Sequence, residues 1–200
     1  MKGMSPERLG PICPAGAPYH TETSMRLSAK IIAGYLLLPL IGLGSLSLPA
    51  LADAPKNLGA YKKWRAMTAD ADGNRTCYAM SEPTAKKGNV KERGKVAALV
   101  THFPEIGALD QVSIVLGFKP QAKTPVIVKI GGFTFKFTEI ENDRAWVKSR
   151  ADDKALVQAM RKSNQMVVTA TTAKGLKVED TYDLSGFTKA YRTMSQACTS

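Results

Sequence analysis

Val126-Ile127-Val128-Lys129-Ile130-Gly131-Gly132-Phe133-Thr134-Phe135-Lys136-Phe137 is the stretch that decides the fold class. Two runs rich in β-branched and aromatic residues flank a glycine pair. Both glycines accept positive φ without a side-chain clash, so the segment predicts a two-residue β-hairpin. In the second run Phe133, Phe135 and Phe137 alternate with Thr134 and Lys136, which sets an apolar face against a wet one.

Strands of similar length surround this hairpin. Upstream, Val96 to Thr101 is a compact apolar run closed by His102-Phe103-Pro104, and Gln111 to Phe118 is another; both fit buried strands. Before them, Leu58 to Lys63 leads into a strand from Trp64 to Thr68, and Thr76 to Ser81 forms a second across the turn-rich Asp70 to Asn74. Downstream, Ala145 to Lys148 reads as a short strand. Asp152 or Asp153 then caps a helix that runs to about Ser163, with Arg161 and Lys162 in its last turn to complement the helix dipole. Gln165 to Thr172 and Val178 to Leu184 are two further strands joined at Lys174-Gly175. Ser185 caps a final helix in which Phe187, Tyr191, Met194 and Cys198 recur at helical spacing on one face. The fold class expected is mainly β: an antiparallel β-sandwich with two short helices, the second of them C-terminal.

The N-terminal quarter has a different character. Arg26 and Lys30 precede an apolar run from Ile31 to Leu48, and Ala50-Leu51-Ala52 forms an A-x-A site followed by Asp53. This is the anatomy of a cleavable signal peptide over residues 25–52. The rival reading is a retained membrane anchor, which Gly34, Pro39, Gly42, Gly44, Ser45 and Ser47 weaken by diluting the apolar run. Asp53 at the cut leaves no cysteine for lipid attachment. Residues 1–24, rich in proline and placed before a complete n-region with its own Met25, read as a dispensable extension. Residues 53–200 then form a single domain, periplasmic, secreted or at the cell surface, with no membrane span after cleavage.

That cut changes the chemical inventory. The chain carries 28 Lys+Arg against 17 Asp+Glu, a formal charge of +11. Residues 1–52 hold four of the cations and two of the acids, leaving 24 against 15. Such a surplus favours anionic partners or simply keeps the protein soluble. Cys13 and His20 fall in the removed part. Cys77 and Cys198 remain in an oxidising compartment, where they form a disulfide or stay as two structural thiols. A metal site is the poorer account of them, because Cys77 lacks a C-x-x-C partner and only His102 is left to join it.

Candidate chemistry is sparse. His102 is the only histidine available as a general base, and a strand-end position beside Thr101 suits a structural role equally well. Asp152 and Asp153 do not face each other on a helix, so capping explains them better than acid/base work. Glu139, Glu141 and Asp143 form an acidic turn without the ligand spacing of a calcium loop. Gly131-Gly132 is no phosphate loop, since neither a Lys-Ser/Thr nor a helix follows. No catalytic residue, metal or cofactor is assigned. Trp64 and Trp146 suit the core better than an interface. The segment Thr84 to Lys95 is strongly basic and turn-rich, read as a loop or hairpin tip. Lys86, Lys87, Lys91, Arg93 and Lys95 there are the candidate residues for an anionic surface. Nucleic acid is set aside as a partner because no aromatic residues interleave this cluster.

Read in order, Leu58-Gly59 with Trp64, Cys77-Tyr78, Arg93-Gly94, Val100-Thr101-His102, Ile130-Gly131-Gly132, Ala145-Trp146, Leu156 to Met160, Thr181-Tyr182 and Ser185-Gly186-Phe187 up to Cys198 resemble the invasion-associated locus B family. The resemblance covers nearly all of residues 53–200. It implies an exported proteobacterial protein with an immunoglobulin-like sandwich, of a family associated with virulence through one member linked to entry into host red cells and mostly without an established activity. The function expected is a non-catalytic envelope or surface protein, meeting a host cell, a protein or an envelope surface through the basic segment. The alternative is a periplasmic enzyme acting on envelope components with His102 as base.

Overall fold

Strong alternation of apolar and polar residues produces twelve strands, and the computed structural model describes them over residues 54–71 and 73–199. The segments read as extension (1–24) and signal (25–52), and the cut before Asp53, lie outside the described residues. In chain order the strands are β1 Lys56–Tyr61, β2 Trp64–Ala71, β3 Asn74–Ser81, β4 Ala85–Lys87, β5 Ala97–Phe103, β6 Ala108–Val115, β7 Val126–Ile130, β8 Phe133–Phe137, β9 Glu139–Glu141, β10 Arg144–Trp146, β11 Gln165–Thr171 and β12 Lys177–Asp183. Helix α1, Arg150–Lys162, lies between β10 and β11, and helix α2, Phe187–Ala197, follows β12.

All strand pairs are antiparallel. A seven-stranded sheet has the order β1-β2-β3-β5-β6-β10-β9, and a five-stranded sheet the order β4-β12-β11-β7-β8. One core cluster joins the inner faces: Trp64, Ala66, Ala79, Val100 and Ile114 of the larger sheet meet Val128, Ile130, Met166, Val168 and Tyr182 of the smaller. Leu156 and Met160 of α1, with Phe187 and Met194 of α2, complete the same cluster. The result is a sandwich-like two-sheet architecture with both helices on the inner side of the larger sheet, as the alternation in the sequence led one to expect.

The Gly131-Gly132 hairpin forms, with Ile130 opposite Phe133 and Gly131 at φ 57°. Its apolar face is graded, because β8 is an edge strand. Phe137 is fully buried, Phe135 half-buried and Phe133 63% exposed.

Several local expectations are corrected. Lys56–Tyr61 is a strand, bulged between Asn57 and Gly59 as it pairs with β2. Glu139–Glu141 is an edge strand rather than a turn. Helix α1 is capped by Ser149, whose hydroxyl accepts the Asp152 N–H at 3.1 Å and donates to the Asp152 carboxylate. Asp153 is instead buried. It accepts the Val112 N–H at 2.9 Å, in the part of β6 beyond the reach of β10, so a helix carboxylate satisfies an amide that no strand pairs. Ser185 does not cap α2; its N–H is held by the Asp183 carboxylate, and Gly186 at φ 93° occupies the cap position. A Cβ on Gly186 would collide with the Tyr61 carbonyl oxygen, so glycine is required where the chain turns against β1.

The outer face of the larger sheet belongs to a different set of residues. The register places Ala60, Arg65, Met80, Leu99, Ser113, Trp146 and Glu139 in one row across all seven strands. Asn57, Met67, Tyr78, Thr101 and Gln111 form the next row. Both tryptophans are buried, Trp64 within the core cluster and Trp146, 8% exposed, on the opposite face of the sheet. No helix among the described residues is long and apolar enough to cross a membrane.

Candidate functional site

The basic segment is built on the edge of the smaller sheet. Lys86 and Lys87 belong to β4, where Lys86 pairs with Asp180 and Lys87 with Glu179 on β12. The Lys87 ammonium donates to Glu179 at 2.8 Å, raising the lysine pKa and lowering that of the glutamate. Both side chains are well exposed, so this pair adds little to stability. Beyond β4 the chain turns at Gly88, which packs against the Lys177 carbonyl.

Arg93 behaves differently from the lysines. Its guanidinium makes a two-pronged bond to Asp180, with Nη1 at 2.8 Å from one carboxylate oxygen and Nη2 bonded to the other. Nε donates to the Leu116 carbonyl at 2.9 Å, and the guanidinium lies over the Phe118 ring at 5.2 Å. The Arg93 side chain is 10% exposed and that of Asp180 1%. Arg93 is therefore withdrawn from the surface cluster, because the buried Asp180 carboxylate requires a fixed cation beside it. Its bond also pins the turn that displays the rest: Lys86, Lys87, Lys91 and Lys95 are all exposed. Lys177, also exposed, joins this corner through the contact of its strand with Gly88. Sequence reading missed it because residues 88 and 177 meet only through the β4–β12 pairing.

A second cluster forms around His102. The alternation of β5 sends His102 to the inner face and its neighbour Thr101 to the outer one, so the two do not act together. His102 stands opposite Cys77 in the ladder and contacts the Asp110 carboxylate at 3.1 Å through Nε2. The Tyr191 hydroxyl donates to the same Asp110 oxygen at 2.6 Å, and the histidine and tyrosine rings meet edge-on with centroids 5.6 Å apart. Burial favours the neutral Asp110 carboxyl, but the hydrogen bonds from His102 and Tyr191 together outweigh it and hold the pKa below the usual range. Burial and the bond to Asp110 push the Tyr191 hydroxyl up to about 12. The arrangement is a histidine–carboxylate pair without a nucleophile. Among the described residues no hydroxyl or thiol is hydrogen-bonded to His102, the phenol sits on the carboxylate, and Cys77 is in a disulfide.

That disulfide joins Cys77 to Cys198 across 121 residues, with Cα atoms 5.9 Å apart. It settles the choice between bond and free thiols, and it ties the residue just after α2 to the inner face of β3. Glu139 and Glu141 lie in β9 and Asp143 in the following turn. No three His, Cys, Asp or Glu side chains converge to hold a metal among the described residues.

Fold and site together define a disulfide-pinned two-sheet β protein that carries a fixed basic corner and a buried, nucleophile-free polar cluster. The family model for the invasion associated locus B (IalB) protein matches residues 64–195, so the chain belongs to that family. It is not a known enzyme family. No curated protein matches the chain at a significant level.

Proposed function

We propose that this is an exported, non-catalytic protein of the periplasm or cell surface whose lysine corner meets an anionic surface, on an envelope or a host cell. The observation that carries the reading is the division of labour within the basic segment. Arg93 is consumed in fixing the turn, and Lys86, Lys87, Lys91 and Lys95 are left facing solvent. Lysines near an anionic membrane contribute about 1 kcal/mol each, and the attraction falls off over a Debye length of about 8 Å at physiological salt. The disulfide supports export, because such bonds persist in oxidising compartments.

Binding to vesicles containing an anionic lipid tests the reading. Reversing Lys86, Lys91 and Lys95 to Glu is expected to abolish salt-sensitive binding and to leave the melting temperature within a few degrees of the parent. Unchanged binding by the triple variant removes the lysine corner from the function. Arg93 is excluded from the set because its loss unfolds the site for another reason.

A further inference from the structure

We propose that the cleft beside the turn of the β7–β8 hairpin binds a sugar that carries a carboxylate, one residue of an acidic glycan. Period-two alternation builds the cleft. Lys129 lies between the core residues Val128 and Ile130, and Gln165 and Val167 flank the core residue Met166, so all three belong to the outer face of the smaller sheet. Val167 stands opposite Lys129 in the ladder, and the next step of the same register carries Gly131 beside Gln165. Gly131 has no side chain to fill its place there, which leaves a gap. Ser163, the C-cap of α1, closes one side of it, with its hydroxyl oxygen 3.2 Å from where a Cβ on Gly131 would lie. The resulting cleft has a volume of about 410 Å³ and is lined by Lys129, Gly131, Ser163, Asn164, Gln165 and Val167. Small-molecule sites span about 300–1,000 Å³. Its frame is fixed, because Gly131 sits in the hairpin turn and the Asn164 carbonyl accepts the Leu184 N–H at 2.9 Å.

The lining selects the ligand. Among the described residues, the side chains of Lys129, Ser163, Asn164 and Gln165 have no hydrogen bond or ion pair within the chain, and three of the four residues are exposed. The two amides and the hydroxyl each offer a donor and an acceptor, which is what a row of sugar hydroxyls needs. Val167 and the bare Gly131 give a small apolar surface for the C–H face of a ring. Lys129 supplies one cation, and no carboxylate lines the cleft, so one acidic group on the ligand is matched. The acids nearby are already engaged. Glu179, which feels the charge of Lys129, is bonded to Lys87 at 2.8 Å. Asp183, beside Gln165 in the ladder, holds the Ser185 N–H at 2.8 Å and lies in the field of Lys62 and Lys63. Arg161 and Lys162 in the last turn of α1 offset the negative end of the helix.

A phosphate group fits less well. It takes clustered cations or a row of backbone N–H groups at a helix N-terminus, whereas this cleft has one lysine and adjoins a helix C-terminus. The site is also separate from the lysine corner. Lys177 pairs with Thr171 at one end of β11, and the cleft lies at the other end, beside Gln165.

Titration of the ¹⁵N-labelled protein with glucuronate, glucose and inorganic phosphate, followed by amide chemical shifts, tests this. Glucuronate is expected to shift the Gly131, Asn164 and Gln165 amides saturably, and glucose to bind at least about tenfold more weakly, since it forgoes a hydrogen bond between charged groups. Lys129→Gln, at an exposed position, is expected to remove that preference, and Asn164→Ala to weaken both sugars, with the fold retained by circular dichroism. A parent without saturable shifts, glucose binding as tightly as glucuronate, or either variant binding like the parent overturns the proposal. Phosphate binding through the same amides as tightly as glucuronate overturns it in favour of a phosphate site.

Discussion

Arg93 shows how far one side chain's role depends on where the fold puts it. In sequence it is one of five cations within ten residues, indistinguishable from its lysine neighbours. In the structure it is the counter-ion of a carboxylate that is 1% exposed. Removing one partner of a buried pair leaves the other charge uncompensated, at a cost of about 3–5 kcal/mol. Arg93→Ala is thus expected to lower stability by that amount in denaturant titration, while Lys91→Ala changes it by less than about 0.5 kcal/mol. Asp110 is the second such residue. Its folded pKa lies below the unfolded value of about 3.9, so the stability it confers is full above that value and is lost as pH falls through the folded pKa. Asp110→Asn should flatten the fall in melting temperature below about pH 4, and asparagine tolerates the residue's φ of 61°. Tyr191 acts at the other end of the scale. Its pKa is raised to about 12, so stability declines as pH rises from about 10, where the unfolded phenol ionises. An unaltered acid limb in Asp110→Asn would show that this carboxylate is not what acid titrates.

Elements were legible where their signals are local. The β7–β8 hairpin, the β11–β12 pair and both helices follow from turn residues and periodicity within a dozen positions. β1, β4 and β9 were not recognised as strands. They are edge strands of three to six residues; β4 is held by β12, some 90 positions away, while β1 and β9 pair with their chain neighbours β2 and β10 but are too short or too polar to show a strand pattern of their own. Cap positions shifted for a related reason. Asp153 has the chemistry of a cap but is taken by Val112, and Gly186 displaces Ser185 because the Tyr61 backbone leaves no room for a side chain. At this scale the disulfide is the decisive tie for α2. Closing about 120 residues is worth about 4–5 kcal/mol in the chain-entropy model. Reduction is expected to lower the melting temperature by about 12–15 °C, given roughly 3 °C per kcal/mol for a domain of this size. Equal melting with and without reductant would show that α2 stays docked by packing alone.

For the whole molecule, alternating strands and two short helices pointed correctly to two antiparallel sheets. Which residues face inward was less accessible, because period-two alternation names two faces without saying which is covered. Trp64 and Trp146 illustrate this: equal in size, they end on opposite sides of one sheet, and only register separates them. The candidate site was legible as a charge cluster and illegible in its internal order, since that order rests on contacts with β12. The Cys77–Cys198 bond has one more consequence. A single proteolytic nick between those residues leaves both fragments on one covalent body. A cut in the exposed turn after β4 therefore goes unseen on a non-reducing gel, and intactness has to be judged after the bond is opened.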